Sequence, residues 1–380
     1  MSLSIQEQIR SYLPEFLRLL EESVNRDSPS GDKALNDKMA DWYSAQFTRL
    51  TGGQVERDCH PVAGDRLLGR VGSGSKKIVL VGHYDTVWPK GEAGKRPFTI
   101  RDGNAYGPGV YDMKAGLLQA MFAIKALQNL GRFPADKQVI LLINSDEEIG
   151  SPNSRAWIER TALDSHAAFV LEPPMEPSGA LKTARKGSGR YKLILRGKSA
   201  HAGVNPQKGV SAIQELALQI QRLHAWTDFT TGRSVNVGVV QGGIGSNVVA
   251  DYAEAQIDVR VSSREDAVRL EEEFRALRPF HPEIGLTLTG GMTRPPMERT
   301  ESSGALYELA RRIAQEENNF VLEETSTGGV SDGNFIAALG VPTLDGLGAS
   351  GDYAHSPLEY IRIGEIPFRT GLLARLIESC

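Results

Sequence analysis

The sequence predicts an α/β fold with a mostly parallel sheet, interrupted by a smaller inserted α+β domain. Three observations predict it. Short apolar runs at 77–82, 138–143 and 167–171 read as strands buried on both faces. Segments with helical spacing alternate with those runs. In the middle of the chain the order changes to β-α-β-β-α-β, the pattern of a split βαβ (ferredoxin-like) sandwich of about 110 residues. At 380 residues the chain is long for one core, and two domains are the natural expectation.

The elements follow in order. Residues 5–25 place Ile9, Leu13, Phe16, Leu19, Leu20 and Val24 at helical spacing, and the helix ends before the turn-rich Asp27-Ser28-Pro29-Ser30-Gly31. A second helix covers 32–50. The strand at 77–82 stops at His83-Tyr84-Asp85. The turn Tyr106-Gly107-Pro108-Gly109 leads through Asp112 into an apolar helix near 113–130. The strand at 138–143 stops at Asp146-Glu147-Glu148, and that at 167–171 stops at Glu172-Pro173.

The inserted part begins with alternation over 187–198. A helix near 209–226, strands at 234–241 and 251–262, a charged helix at 263–277 and a strand near 285–289 follow. After Pro295-Pro296 the α/β pattern resumes with a helix at 302–317, a glycine-rich loop at 328–333, a strand at 341–344 and a last helix near 364–378. The large domain is therefore discontinuous, 1–184 and 296–380, with 185–295 inserted.

Composition excludes several classes. Hydrophobic residues make up 40% and charged residues 24%, as in soluble globular proteins. A formal net charge of -4 gives no basic footprint for nucleic acid and no polybasic membrane anchor. No stretch approaches the apolar length of a membrane span, and the polar residues 1–9 lack a signal core, which predicts a cytoplasmic protein. The opening Met1-Ser2-Leu3 reads in part as a cloning remnant. Two cysteines, Cys59 and Cys380, make neither a disulfide framework nor a thiolate metal site, so any metal must be held by His and carboxylates.

Five such residues sit in tight, non-helical contexts: His83 in GHYDTV, Asp112 in YGPGVYDMKAG, Glu148 in SDEEIGS, Glu172 in LEP and His355 in YAHSPLEYI. Two imidazoles and three carboxylates suit Zn²⁺, with Co²⁺ or Mn²⁺ as substitutes. In parallel sheets ligands bind beyond the carboxyl ends of strands, and His83, Glu148 and Glu172 follow such ends. An economical two-metal layout has one bridging carboxylate, plus one carboxylate and one His for each ion. Glu147 is then left free as general base on a shared water. Asp85, two residues after His83 in an extended segment, falls on the same side and can orient its imidazole. Taken singly, a His at a strand end is more often a polar cap, and Glu147-Glu148 a surface turn; their joint occurrence at successive strand ends carries the argument. Gly107-x-Gly109 resembles the start of a dinucleotide fingerprint, but Asp112 occupies the third glycine position.

Together, GHYDTVWP, YGPGVYDMKAG, SDEEIGSPNS, LEP, SAHAGVNPQKG and YAHSPLEYI resemble the motif set of the acetylornithine deacetylase, succinyl-diaminopimelate desuccinylase and carboxypeptidase G family. The resemblance runs nearly end to end. HYDTVWP, the acid of LEP and Thr327-Gly328-Gly329 before Ser331-Asp332 point to the glutamate carboxypeptidase branch, as does Met113 after Asp112.

The resemblance implies a di-zinc exopeptidase-like catalytic domain in which Asp112 bridges the metals. His83 and Glu172 complete one site, Glu148 and His355 the other, and Glu147 is the base. It also implies a cis peptide after Asp112. The inserted domain becomes a lid and dimerisation domain. His201 in SAHAG would act on the oxyanion in the partner subunit, assisted by Asn247. Arg260 would bind the substrate α-carboxylate, and Gly329 would line the substrate site. Read from alternation alone, Arg260 lies on the polar face of its strand with Glu254, Gln256 and Asp258, where a cross-strand ion pair serves equally well.

The implied activity is zinc-dependent release of a C-terminal amino acid, glutamate or another acidic residue, from a peptide or N-acyl amino acid. The alternatives are an N-acyl amino acid deacylase of the acetylornithine type, and a non-catalytic metal-binding protein, against which stands the complete set of ligands and base. The expected partners are a small substrate and a second copy of the chain.

Overall fold

The computed structural model describes residues 3–380; Met1 and Ser2, read above as a cloning remnant, lie outside them. The chain divides into two compact units. The first comprises residues up to Ala184, then Arg299–Ser326 and Ser331–Cys380; the second comprises Arg185–Glu298 and Thr327–Val330. The second boundary falls after Glu298 rather than at 295/296, and residues 327–330 go with the second unit rather than with the large domain.

In the first unit, six strands form one sheet in the order Gln54–Asp58, Arg66–Val71, Lys137–Asn144, Lys76–His83, Ala167–Val170, Thr343–Leu344. The last four are mutually parallel. The first two, which the sequence reading did not find, join antiparallel. Strand alternation sorts the apolar residues. Ile78, Leu80, Val139, Leu141 and Phe169 face the long helices Ile5–Val24, Lys33–Thr51, Ala115–Asn129, Glu301–Asn318 and Ile366–Ser379. Val79, Val81, Ile140, Leu142 and Val170 pack with Trp157, Ile158 and Ile336 from the short helices Arg155–Ala162 and Gly333–Ala338. Both faces are thus covered, as parallel strands require. The glycine-rich stretch expected to be loop at 328–333 runs into the second of these short helices.

A second, four-stranded antiparallel sheet of the same unit has the order Gly351–Asp352, Tyr360–Arg362, Asn104–Tyr106, Thr99–Arg101. It joins the segment leading to Asp112 with the loop carrying His355.

The second unit is an antiparallel sheet, Ser234–Gly242, Tyr252–Val261, Gly187–Arg196, Gly285–Arg294, with helices Ala212–His224 and Arg264–Arg275. Leu193, Leu195, Ala253, Ala255, Ile257 and Val259 form its core with Leu216, Leu223, Leu270 and Phe274 from the helices. The last strand is longer than the expected 285–289. It pairs along Gly187–Arg196 as far as Met292, with a register shift before Arg294.

Candidate metal centre

His83 ends its strand in register with Asn144, the last residue of the neighbouring parallel strand. The two strands therefore deliver His83 and the 146–148 turn to the same edge, and Glu172 follows the next parallel strand, Ala167–Val170. Asp112 lies in an irregular turn before helix Ala115–Asn129, which starts two residues later than expected because Asp112 and Met113 have non-helical backbone angles. The Asp112–Met113 peptide is cis. His355 adopts a left-handed backbone, φ 61°, in the loop between strands Gly351–Asp352 and Tyr360–Arg362.

These segments converge. His83 is buried; its Nε2 lies 3.4 Å from Asp112 Oδ1 and 3.4 Å from Glu172 Oε1. His355 is half exposed; its Nε2 lies 3.2 Å from Asp112 Oδ2 and 3.1 Å from Glu148 Oε2. Each oxygen of Asp112 thus faces a different imidazole, and each imidazole has its own second carboxylate. Ligand-type atoms of His83, Asp112 and Glu148 all lie within 4.8 Å of one another, as do those of His83, Glu147 and Glu172.

Asp85 supports the group from behind. His83 Nδ1 is 3.0 Å from the main-chain oxygen of Asp85 and 3.3 Å from its Oδ1. With Nδ1 engaged there, Nε2 is the nitrogen turned toward Asp112 and Glu172. The Asp85 carboxylate also accepts from the backbone N–H groups of Glu147 and Glu148, both at 3.2 Å.

The electrostatics suit a cation. Burial opposes protonation of His83, but the carboxylates of Asp112, Asp85 and Glu172 gathered around its ring raise its pKa well above the ordinary value. Hydrogen bonds to Asp112 and Glu148 raise that of His355 to about 11. Burial, and then the charge of Asp112, push Glu148 up to about 7. Burial raises Asp112 as well, but the two imidazoles more than reverse this and hold it well below the carboxylate range. His83 Nε2, Asp112 Oδ1 and Glu148 Oε1 are buried without hydrogen-bond partners. Three such atoms in one cluster fit a divalent ion, which would satisfy them together.

Residues that periodicity did not single out complete the setting. Buried Met113 lends its sulfur to the His83 N–H at 3.3 Å. Glu359, inside the YAHSPLEYI motif, accepts backbone N–H groups of the Asp112 turn. Lys114 is buried and donates to the carbonyls of Ser23 and Arg26; burial lowers its pKa to about 7.

The remaining four candidates belong to the second unit. His201 is exposed in the short strand Ala200–His201, which pairs with Val248–Val249; Ala202 N–H donates to the main-chain oxygen of Asn247 at 2.9 Å. His201 is therefore opposite Val248, and Asn247 lies one residue along, opposite Ala202. Arg260 pairs with Asp258 along its own strand, Nε to Oδ1 3.0 Å, rather than across strands as the alternative reading had it. Gly329 is exposed, and its carbonyl accepts from Arg185.

The model for "Peptidase family M20/M25/M40" matches residues 79–379. Carboxypeptidase G2 of Pseudomonas sp. (strain RS-16) is 30% identical over 371 residues, 96% of this chain and 89% of that protein. Succinyl-diaminopimelate desuccinylase of Stenotrophomonas maltophilia (strain R551-3) is 30% identical over 331 residues, 83% and 86% of the two chains. The structure of aminopeptidase PepT from Bacillus cereus ATCC 10987 shares the fold, with a TM-score of 0.79 at 24% identity over 98% of each chain. The chain belongs to peptidase family M20/M25/M40 and is a metal-dependent hydrolase of amide bonds.

Proposed function

We propose that this hydrolase is a two-zinc exopeptidase that releases a C-terminal amino acid, with preference for glutamate or another acidic residue. The observation that carries the two-metal reading is the split use of Asp112, one oxygen toward His83 and the other toward His355. Asp112 is then the bridging ligand, His83 with Glu172 completes one site, and Glu148 with His355 the other. The oxygen and imidazole donors favour Zn²⁺ and accommodate Co²⁺ or Mn²⁺.

When bound, the ions would supply Lewis acidity toward the amide carbonyl and toward a water. Glu147 would hold on its carboxylate the proton that the attacking water gives up as its oxygen adds to the carbonyl carbon, and return it to the leaving nitrogen as the C–N bond breaks. Asp85 keeps Nδ1 of His83 protonated and the backbone of Glu147 and Glu148 fixed. Arg260 binds the substrate α-carboxylate through its planar guanidinium, with Gly329 lining the same site. His201, assisted by Asn247, stabilises the oxyanion from the other subunit of a homodimer.

The inserted segment serves as lid and dimerisation domain. In support, the strand Ser234–Gly242 is a sheet edge, and Val239, Val240 and Ile244 along and just after it are exposed, with Ile213 on the adjacent helix. No helix among the described residues is long and apolar enough to cross a membrane. Work in the cytoplasm accords with the two free thiols, Cys59 being exposed.

The similarity to a desuccinylase favours a second reading, an N-acyl amino acid deacylase. One experiment separates them: hydrolysis of N-acyl and peptidyl glutamate, aspartate, ornithine and neutral amino acids in zinc-replete buffer. The carboxypeptidase reading requires the highest kcat/KM with a C-terminal acidic residue. Preference for ornithine would replace it by the second reading.

A further inference from the structure

We infer that Glu359 is the positioning residue for the bridging carboxylate: by gathering the backbone N–H groups of the Asp112 turn onto one buried carboxylate, it sets where both oxygens of Asp112 point. The inference rests on the two-metal reading above.

Glu359 is 1% exposed. Its Oε1 accepts the N–H groups of Tyr111 at 2.9 Å and Asp112 at 3.0 Å. Its Oε2 accepts the N–H of Gly109 at 2.9 Å and Nε1–H of Trp88 at 3.2 Å. Among the described residues no cationic side chain forms an ion pair with it. The charge is met by converging N–H dipoles, as in backbone anion nests. A buried carboxylate without an ion pair persists only when its lone pairs are filled, and here four donors fill them.

The geometry explains what the carboxylate does. The turn carrying Asp112 is neither regular helix nor strand, so its N–H groups lack a ladder partner. The N–H of Val110 reaches Gly107 O, while those of Gly109, Tyr111 and Asp112 all go to Glu359. Three peptide planes are thereby fixed, the last being the one from which the Asp112 side chain springs.

Two further segments meet at the same group. Trp88 lies on the stretch that continues from His83 and Asp85. Glu359 itself closes the loop that contains His355, its N–H donating to Ser356 O at 3.0 Å. One carboxylate therefore ties together three of the segments that supply the proposed ligands.

Glu359→Gln is the discriminating substitution. It keeps the shape but turns one oxygen into a donor, which then faces N–H groups that are themselves donors. The protein with and without Co²⁺ is followed by far-UV circular dichroism, Co²⁺ titration and the EPR coupling between two bridged ions. We expect a folded variant whose second Co²⁺ binds about 10–100-fold more weakly, with coupling lost and kcat reduced by a similar factor while KM stays within about 3-fold. Trp88→Phe, which removes one donor and leaves the three backbone N–H groups, should stay within about 3-fold in affinity. Should Glu359→Gln fail to fold, Glu359→Asp keeps the charge and shortens the reach; its second Co²⁺ should still be weaker by at least about 3-fold.

Wild-type Co²⁺ affinity and coupling in a folded Glu359→Gln, or in Glu359→Asp where the former is insoluble, overturns the inference. A wild-type protein that takes up two coupled Co²⁺ but cleaves no acidic substrate would sink the substrate reading and leave this one standing. Wild type that takes up no Co²⁺ overturns both.

Discussion

Ser30 donates its hydroxyl to Oδ2 of Asp85 at 2.6 Å. The same oxygen receives the N–H of Glu148, and Oδ1 receives that of Glu147. Asp85 is thus held from three directions while it faces Nδ1 of His83. Asp85→Asn places a donor among donors, and metal affinity should fall about 10–100-fold. Ser30→Ala should fall in the same direction by less. Competition with a chelating dye measures both; affinity unchanged in Asp85→Asn would remove Asp85 from its supporting role.

Glu147, the proposed base, offers a way to separate chemistry from metal binding. Glu147→Gln keeps the size of the side chain and removes the proton acceptor. Both ions should remain bound, and kcat should fall by about 10²–10⁴. Metal analysis beside steady-state kinetics tests this. Loss of one ion would instead make Glu147 a ligand, an outcome its closeness to His83 and Glu172 renders specific.

Metal uptake should release protons. In the metal-free chain both imidazoles hold theirs far above the ordinary value, His355 up to about 11, because Asp112 and Glu148 bond to it. A cation replaces those protons, so apparent affinity must rise with pH across the neutral range. Calorimetry in buffers of different ionisation enthalpy counts the protons. An affinity independent of pH between 6 and 9, roughly the span between ordinary His and Cys or amine pKa values, contradicts the assignment of either imidazole.

If His201 acts across a dimer, mixed subunits should complement one another. A heterodimer of Glu147→Gln and His201→Ala chains contains one centre with an intact base and an intact partner histidine. It should recover up to about half of wild-type turnover, whereas each homodimer remains low. Verified heterodimers with no recovery would place His201 outside the partner's chemistry.

Asp65 tests the scaffold next to the site. Its carboxylate accepts from Lys33, Arg57 and the His60 N–H, and its main-chain oxygen accepts the hydroxyl of Tyr84, the neighbour of His83. Burial pushes its pKa up, but the bonds from Lys33 and Arg57 more than reverse this and hold it far below the carboxylate range. A depressed acid stabilises fully above its unfolded value near 3.9 and loses that contribution as pH falls toward the folded value. Asp65→Asn should cost about 1–3 kcal/mol at pH 7 and less in strong acid, measured by urea unfolding.

What the sequence revealed follows the physics of burial. Strands Lys76–His83 and Lys137–Asn144 are covered on both faces, so they stand out as apolar runs, and the proposed ligand residues at their ends stand out in turn. Gln54–Asp58 is an exposed edge strand with no apolar alternation, which left it invisible. Glu359 escaped periodicity for a different reason. Its partners Gly109, Tyr111 and Asp112 lie far away in the chain, and accepting backbone N–H groups leaves no mark on composition. The Arg260 pair was misjudged because alternation names a face but not a neighbour: Asp258 sits on the same strand and the same face.

The split use of Asp112 also bears on the order in which the molecule is made. His83 comes from an early strand and His355 from a late loop, and Asp112 stands between them with one oxygen for each. On the proposed ligand set, a nascent chain that has folded its first strands would offer only half of a centre. The other half arrives with the hairpin that pairs Tyr360 with Tyr106. On that set, capture of the full metal complement would be a late event of biosynthesis, and a loaded centre would report that the two separated stretches of the first unit have met.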